Sequence, residues 1–510
     1  MTVKPLILPG LLAATLLACA STTVSVDPLK TAPAPGQSTV AVSVTANTGQ
    51  IRGFDEVRVR RAGSDDTYVL RQVAPGMARD TTLFVGVLPA GEYEFASMRD
   101  TRAQKLLALS ANGIATIGRF SVAGGQPVDL GRLLITPVNN NFLYGRAPMA
   151  GNNQRLMQRY APDYLRLFAA GAQRGWTGER NAQDRVEEYA TFRPVGADCI
   201  SEMADGSVVA ASRLGAVLQR NAGGSWRVLR SPGLESLLCV LPVDLPDADL
   251  LAVGELNTLL RRAPGASTLA PLDTGNLPPG SLLRIAGNAS AGWYVALLQG
   301  GLVTIFHSKA LEQGDWKPVR QEQLYHSKWY GASQFWMWPT AQGLAYAVTA
   351  GPVHMLDFAS GQWSKRALPN DWQIADIRTN PTGMWGLLAL PPGGDQAPLA
   401  FTSRNMGQDW EALKLPLAAR LAPPQQTADG TLLAYGGNGG KYELLASRDA
   451  GRNWASVAQF EAGRTLFPLK SGGLLDTDMG LQGVSAIMYS PDGGRTWQTE
   501  YTNYNPKAAD

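Results

Sequence analysis

An eight-residue pattern, Ser-x-Asp-x-Gly-x-x-Trp, recurs toward the C-terminal end of this 510-residue chain, and its period constrains the fold more than any other feature. It stands complete at Ser447, Asp449, Gly451, Trp454 and again at Ser490, Asp492, Gly494, Trp497. Ser403, Asn405, Gly407, Trp410 form a copy that differs only in having Asn for Asp. Asn221, Gly223, Trp226 lack the leading Ser, and degenerate copies end at Trp316 and Trp363. From Trp316 to Trp497 the terminal tryptophans are 47, 47, 44 and 43 residues apart. The 90-residue gap from Trp226 to Trp316 is close to two such periods, with room for a Trp-less copy at Gly265 to Leu269. Seven units of one length result, and a period in the forties belongs to stacked or radial repeats.

The chemistry of the pattern says what each unit contains. Each copy lies between two short apolar stretches. An Asp or Asn side chain accepts hydrogen bonds from nearby backbone N–H groups and Gly supplies a positive φ, so the pair closes a tight turn. The Trp then opens the next strand and buries a large ring. Four strands are expected per unit, at 420–422, 431–435, 442–447 and 454–458 in the sixth and at 465–469, 473–476, 485–490 and 497–501 in the seventh. The pattern resembles the Asp-box, or BNR, repeat of sialidase-like propellers, also found in sortilin-type receptors and photosystem II assembly factors. That resemblance implies a seven-bladed β-propeller over 187–510. It also implies that the box residues are structural, on the outer rim and away from the face where such propellers carry activity.

The N-terminal end carries a second signal. Lys4 precedes an apolar run from Leu6 to Leu17, too short for a membrane-spanning helix, which needs ~20 residues, and suited to a secretory leader. The run ends in Leu16-Leu17-Ala18-Cys19, which resembles the bacterial lipobox. The resemblance implies cleavage after residue 18 and a lipid on Cys19. Ala20 in place of Asp implies sorting to the outer membrane. Residues 19–37, rich in Thr, Ser, Ala and Pro, are expected to be a tether spanning roughly 20–25 Å.

Between tether and repeats, apolar alternation predicts strands at 39–44, 56–61, 67–71, 83–87, 93–97, 116–122 and 127–136, so 38–140 is expected to be a small β-sandwich. Its Leu-Pro-Ala-Gly-Glu-Tyr-Glu-Phe stretch at 88–95 resembles the closing hairpin of transthyretin-like sandwiches. Leu156, Tyr160, Tyr164, Leu167 and Phe168 then recur at helical spacing, with Pro162 opening a second turn. One or two short helices are expected within a connector at 141–186. The expected fold is all-β, a seven-bladed β-propeller with an N-terminal transthyretin-like β-sandwich and a short helical connector.

Composition narrows the function classes. A net charge of +3 and 17% charged residues offer no electrostatic case for nucleic-acid binding. His307, His326 and His354 are scattered without ligand spacing, so no metal is expected, and no phosphate-cradling glycine motif calls for a cofactor. Cys199 and Cys239 fall at similar places in the innermost strands of the first two units. An oxidising envelope would let them bridge if those strands approach closely enough; otherwise they are small buried core residues.

Two functional readings remain. Phe192-Arg193-Pro194 resembles the Phe-Arg-Ile-Pro motif that opens sialidase propellers, without its Ile, and implies that Arg193 clamps a substrate carboxylate. The other sialidase residues have no matching positions, so a sialidase-like glycoside hydrolase is the lesser reading. The main one is a non-catalytic binding or assembly scaffold in the cell envelope, with the membrane as one partner and a protein or glycan as the other. Trp329, Tyr330 and Trp372, on loops opposite the Asp-box turns, are its candidate binding residues.

Overall fold

The computed structural model describes residues 23–47, 54–75, 78–138, 141–180, 185–194, 199–312, 314–327, 331–332, 334–391, 397–438, 440–461, 463–479 and 485–502. The expected leader and Cys19 lie outside these residues.

Seven antiparallel sheets occupy the C-terminal two thirds of the chain, at 200–230, 237–271, 281–323, 335–366, 373–413, 419–460 and 466–502, here blades 1 to 7. In six of them four strands run in sequence order. Blade 6 has a fifth because its innermost strand is split into Ala419–Arg420 and Gln425–Gln426, both pairing with Leu432–Asn438. Pro423 and Pro424 sit at the break, where two missing N–H groups cannot serve a ladder.

The ring closes through side chains. Every neighbouring pair of blades shares a buried apolar cluster, and the set runs from blades 1 and 2 round to blades 7 and 1. At the last seam, Glu500 of blade 7 accepts Arg220 Nε at 2.7 Å and Nη2 at 2.8 Å, and Trp226 Nε1 at 3.1 Å. A bidentate, charge-assisted pair of this kind fixes orientation as well as distance.

The repeating tryptophans are equivalent. Trp226 and Trp363 begin the outermost strand of their blades, and Trp316, Trp410, Trp454 and Trp497 stand one residue before it. In blade 2 that place belongs to Leu269, directly before Ala270–Pro271. The Trp-less copy is therefore a full blade.

The N-terminal unit is one ten-stranded sheet rolled around its own core. Its strands are β1 (Thr23–Ser25), β2 (Gln37–Ala46), β3 (Glu56–Arg61), β4 (Thr67–Val73), β5 (Thr81–Pro89), β6 (Gly91–Asp100), β7 (Lys105–Ala108), β8 (Arg119–Val122), β9 (Val128–Val138) and β10 (Asn141–Arg146). The order is β10-β9-β2-β5-β4-β3-β6-β7, with β1 on β4 and β8 on β6. Alternate residues of both halves, such as Val42 and Phe84 against Val59 and Phe120, meet inside. This is a sandwich-like arrangement.

Three sequence expectations change here. The stretch at 88–95 is not a hairpin: β5 pairs with β2 and β4, while β6 pairs with β3, β7 and β8, so Ala90 carries the chain from one half of the sheet to the other. Both faces of β5 are covered, Phe84 and Leu88 by the core and Leu83 and Val85 by helices. The tether is shorter than 19–37, because Thr23–Ser25 extends the β4 edge in parallel and Asp27 accepts the Tyr164 hydroxyl at 3.2 Å. The strand expected at 116–122 starts as the end of a helix, α1 (Ala111–Ile117), capped by Ser110 Oγ, which accepts Gly113 N–H at 3.1 Å.

The connector is helical as expected: α2 (Gln154–Tyr160), α3 (Pro162–Leu165, with Pro162 at its first turn) and a 3-10 turn at Arg166–Phe168. Met157, Ala161 and Phe168 cover the outer face of the sheet at Ala41, Val73 and Leu83. A further helix, α4 (Val186–Phe192), went unread in the sequence. It packs with Leu134 of β9 and with Leu214 and Leu234 of blade 1.

Candidate functional site

In a four-stranded meander the first and third turns share one face, and the second turn shares the other with the connection to the next blade. The Ser-x-Asp turns precede the outermost strands, so they lie on the first of these faces. Their geometry repeats. In blade 6, Ser447 Oγ bonds Asp449 Oδ1 at 2.7 Å and accepts Gly451 N–H at 2.9 Å, while Asp449 Oδ1 accepts Asn453 N–H at 2.9 Å. Blade 7 matches with Ser490, Asp492, Gly494 and Thr496. In blade 5, Asn405 accepts Asp409 N–H at 2.9 Å in the same way, and Ser403 Oγ accepts Gly407 N–H at 2.9 Å. Trp454 and Trp497 close their turns by donating Nε1 to Gly451 O and Gly494 O, whereas Trp410 donates to Ala367 O of the preceding blade. Backbone N–H groups, with the Ser447 hydroxyl in one case and Thr496 in the other, hold Asp449 and Asp492 down at about 2. Their oxygens are thus occupied within the turn.

The opposite face is partly covered. The N-terminal unit and its helices dock there on blades 1 and 2 and on the connection from blade 2 to blade 3. Glu255, fully buried after the second strand of blade 2, accepts Asp80 N–H at 2.8 Å, Thr81 Oγ1 at 2.6 Å and Ser236 N–H at 3.1 Å. Arg213 of blade 1 faces Asp80 at 3.1 Å with both side chains buried. Arg132 pairs with Glu235 at 3.1 Å, and Tyr160 donates to Asn257 Oδ1 at 3.0 Å. Burial, then the neighbouring Asp80 carboxylate, pushes Glu255 up to about 7.

The cavity with the shape of a binding site lies on the propeller axis. It has a volume of about 590 Å³ and is lined by innermost strands of blades 1, 3, 4, 5, 6 and 7. Its wall runs to Asn380, Pro381 and Lys470, in the first turns of blades 5 and 7, and so toward the face of the Ser-x-Asp turns. Its two acidic residues are committed. Asp376 accepts Trp336 Nε1 at 3.2 Å and Arg378 Nε at 3.0 Å, and Glu202 accepts the backbone N–H of Lys470 and of Ser471. Arg284 donates only to the carbonyls of Leu238 and Leu283, and among the described residues it has no carboxylate partner. Trp338 Nε1 and Gln425 Oε1 also have no partner among the described residues.

Of the residues nominated from sequence, Arg193 and Trp372 do not line this cavity. Arg193 caps α4 and donates Nη1 to Thr502 O at 2.7 Å, joining the helix to the last strand of the ring. Trp372 is half-buried against the core of blades 4 and 5, edge-on to Phe401 at 6.1 Å between centroids. Trp329 and Tyr330 lie outside the described residues. The cavity residues were missed because nothing in a linear reading says which residue of each innermost strand faces the axis. Phe335 to Trp338 is an aromatic-rich run in the sequence, and alternation alone sends Trp336 and Trp338 to one side of their strand.

No protein-family model matches this chain, and no curated protein matches it. Solved structures that resemble it include YCF48 from Cyanidioschyzon merolae, at 13% identity and a TM-score of 0.40 over 61% of this chain and 96% of that one. YCF48 bound to D1 peptide is similar at 15% identity and a TM-score of 0.38, covering 52% and 82% of the two chains. An ancestral GH74 enzyme is similar at 14% identity and a TM-score of 0.39, covering 61% and 48%. Likenesses this distant carry no argument about what this chain binds or does.

Proposed function

We propose that this chain is a lipid-anchored protein of the bacterial envelope, sorted to the outer membrane, whose propeller binds its ligand without altering it. The observation that carries the binding reading is the state of the cavity wall. Its carboxylates, Asp376 and Glu202, are already spent on Trp336, Arg378 and backbone N–H groups. General acid–base chemistry on a sugar needs two carboxyl groups able to exchange protons with substrate. A group left with capacity at the wall is the Arg284 guanidinium, which donates only to two backbone carbonyls among the described residues. It suits a ligand that carries a carboxylate, as an acidic peptide or an acidic glycan does. Trp329 and Tyr330 stay in the reading as candidate aromatic contacts of the loop that the sequence places opposite the Ser-x-Asp turns.

A melting series on wild type and Arg284→Ala, with an acidic peptide and with an oligouronate, tests the binding reading. One of the two is expected to raise the melting temperature of wild type and to leave the variant unmoved. No shift with either, or equal shifts in both proteins, removes Arg284 from the site. Turnover of sialosides or aryl glycosides that disappears in Asp376→Asn would replace binding with hydrolysis. The anchor is tested separately. Cys19→Ala is expected to abolish palmitate labelling and release the protein from membranes, and a variant that still sediments wholly with membranes refutes it.

A further inference from the structure

Outside Cys19, the chain holds two cysteines, and the fold brings them together. Cys199 immediately precedes the innermost strand of blade 1, Ile200–Glu202, and Cys239 lies in that of blade 2, Leu237–Leu245. Neighbouring innermost strands of a propeller are not hydrogen-bonded to each other, so their side chains do not ordinarily meet head-on. Here a register shift between Leu237 and Cys239 interrupts the blade 2 ladder. A bulge re-aims the side chain beside it, and the Cys239 Sγ stands 2.7 Å from the Cys199 Sγ. Cys199 is also held by blade 2, because its sulfur accepts Val240 N–H at 3.4 Å and Ser201 Oγ donates to Val240 O at 3.4 Å.

We propose that Cys199 and Cys239 form a disulfide bond that joins blades 1 and 2 at the wall of the axial cavity. The two sulfurs differ in access, which orders the chemistry. Cys199 is partly exposed and lines the cavity, while Cys239 is buried. The neighbouring Cys199 thiol, then burial, pushes the Cys239 thiol well above its ordinary value. Cys199 therefore reacts first. Its thiolate attacks one sulfur of an external disulfide, either oxidised glutathione or the active-site disulfide of a thiol oxidase, and expels one thiolate. Cys239 then gives up its proton and attacks the Cys199 sulfur of that mixed disulfide, expelling the second thiolate. Two S–H bonds are lost, one S–S bond forms within the chain, and the electron pair and protons pass to the external disulfide. Arg284, on the same wall, lies close enough to Cys239 for its positive charge to favour that thiolate in the second step.

Persistence of the bond in the cell rests on the envelope reading, since a reducing cytosol would keep both thiols. The test separates the two. The purified full chain is equilibrated with oxidised glutathione, denatured, and alkylated before and after reduction. Reduction is expected to expose two further alkylation sites, at Cys199 and Cys239, and digestion without reduction is expected to yield their peptides linked. Both cysteines alkylating without reduction, or each carrying glutathione, overturns the proposal. Reductant is expected to lower the melting temperature of wild type and leave Cys199→Ala/Cys239→Ala unmoved. If that variant does not fold, the linked peptides of wild type decide the matter. A bond that forms in the glutathione buffer but is absent from chains trapped in cells upholds the proposal and refutes the envelope reading.

Discussion

Blades 1 to 3 and blades 5 to 7 are the same structural unit held in place by different means. In blades 5 to 7 the turn before the outermost strand carries its own acceptors. Ser403 with Asn405, Ser447 with Asp449, and Ser490 with Asp492 satisfy N–H groups at most four residues away. Blades 2 and 3 lack those residues; on the opposite face, the N-terminal unit docks on blades 1 and 2. Glu255, Arg213 and Asn257 there bond residues of that unit or its helices far away in sequence. The degenerate copies are still full four-stranded blades. The two kinds of polar contact lie on opposite faces of the ring: local bonds close the turns of blades 5 to 7, and long-range bonds dock the N-terminal unit on blades 1 and 2.

The contrast predicts unequal costs. Asp80→Ala, at the docked face, should have the largest effect, because it leaves the buried Arg213 guanidinium without its carboxylate; breaking one side of such a pair costs about 3–5 kcal/mol. Chemical denaturation measures it, and a loss below ~1 kcal/mol would mean that the interface is not dry. Glu255→Gln comes next. Its folded carboxyl sits at about 7 against an ordinary 4.5, so the folded state holds a proton that the unfolded state has released. Stability should therefore fall as pH rises from about 4.5 to about 7 and level off above. The amide should flatten that slope and cost about 1 kcal/mol near pH 5, where it differs from the protonated carboxyl mainly by one N–H set against Ser236 N–H. A slope that survives the substitution would assign it to another group.

The smallest effect is expected at the self-contained turns. Asp492→Ala should lower the melting temperature by less than either variant, since water reaches the N–H groups it exposes. Its pH dependence runs the other way. Asp449 and Asp492 are held at about 2, below their unfolded values, so their contribution is complete above about 4 and is lost as pH falls toward 2. A melting temperature in Asp492→Ala that drops as far as in Asp80→Ala would abolish the distinction between the two halves of the ring.

How much was legible in the sequence follows the same division. The Ser-x-Asp turns read directly, because each hydrogen bond in them joins residues within one short window. The blade count read from tryptophan spacing, and even the Trp-less blade was found, since Leu269 holds the same place in the period as the indole rings. The docked face did not read. Asp80 and Arg213 are 133 positions apart, and neither lies in a motif. The place of Arg193 did not read for a related reason: a three-residue likeness says nothing about which neighbour its guanidinium meets, here the carbonyl of Thr502.

The sequence by itself determined what depends on short-range periodicity: the repeat, its four-stranded unit, the turn chemistry, and the helical stretch opened by Pro162. Only the tertiary structure decided which strands pair in the N-terminal unit, where that unit docks, and which side chains line the axis. Those outcomes depend on which buried faces match once the ring has closed. Cys199 and Cys239 show the boundary between the two. Spacing put them in neighbouring innermost strands, but a one-residue bulge, invisible in the sequence, turned their sulfurs toward each other.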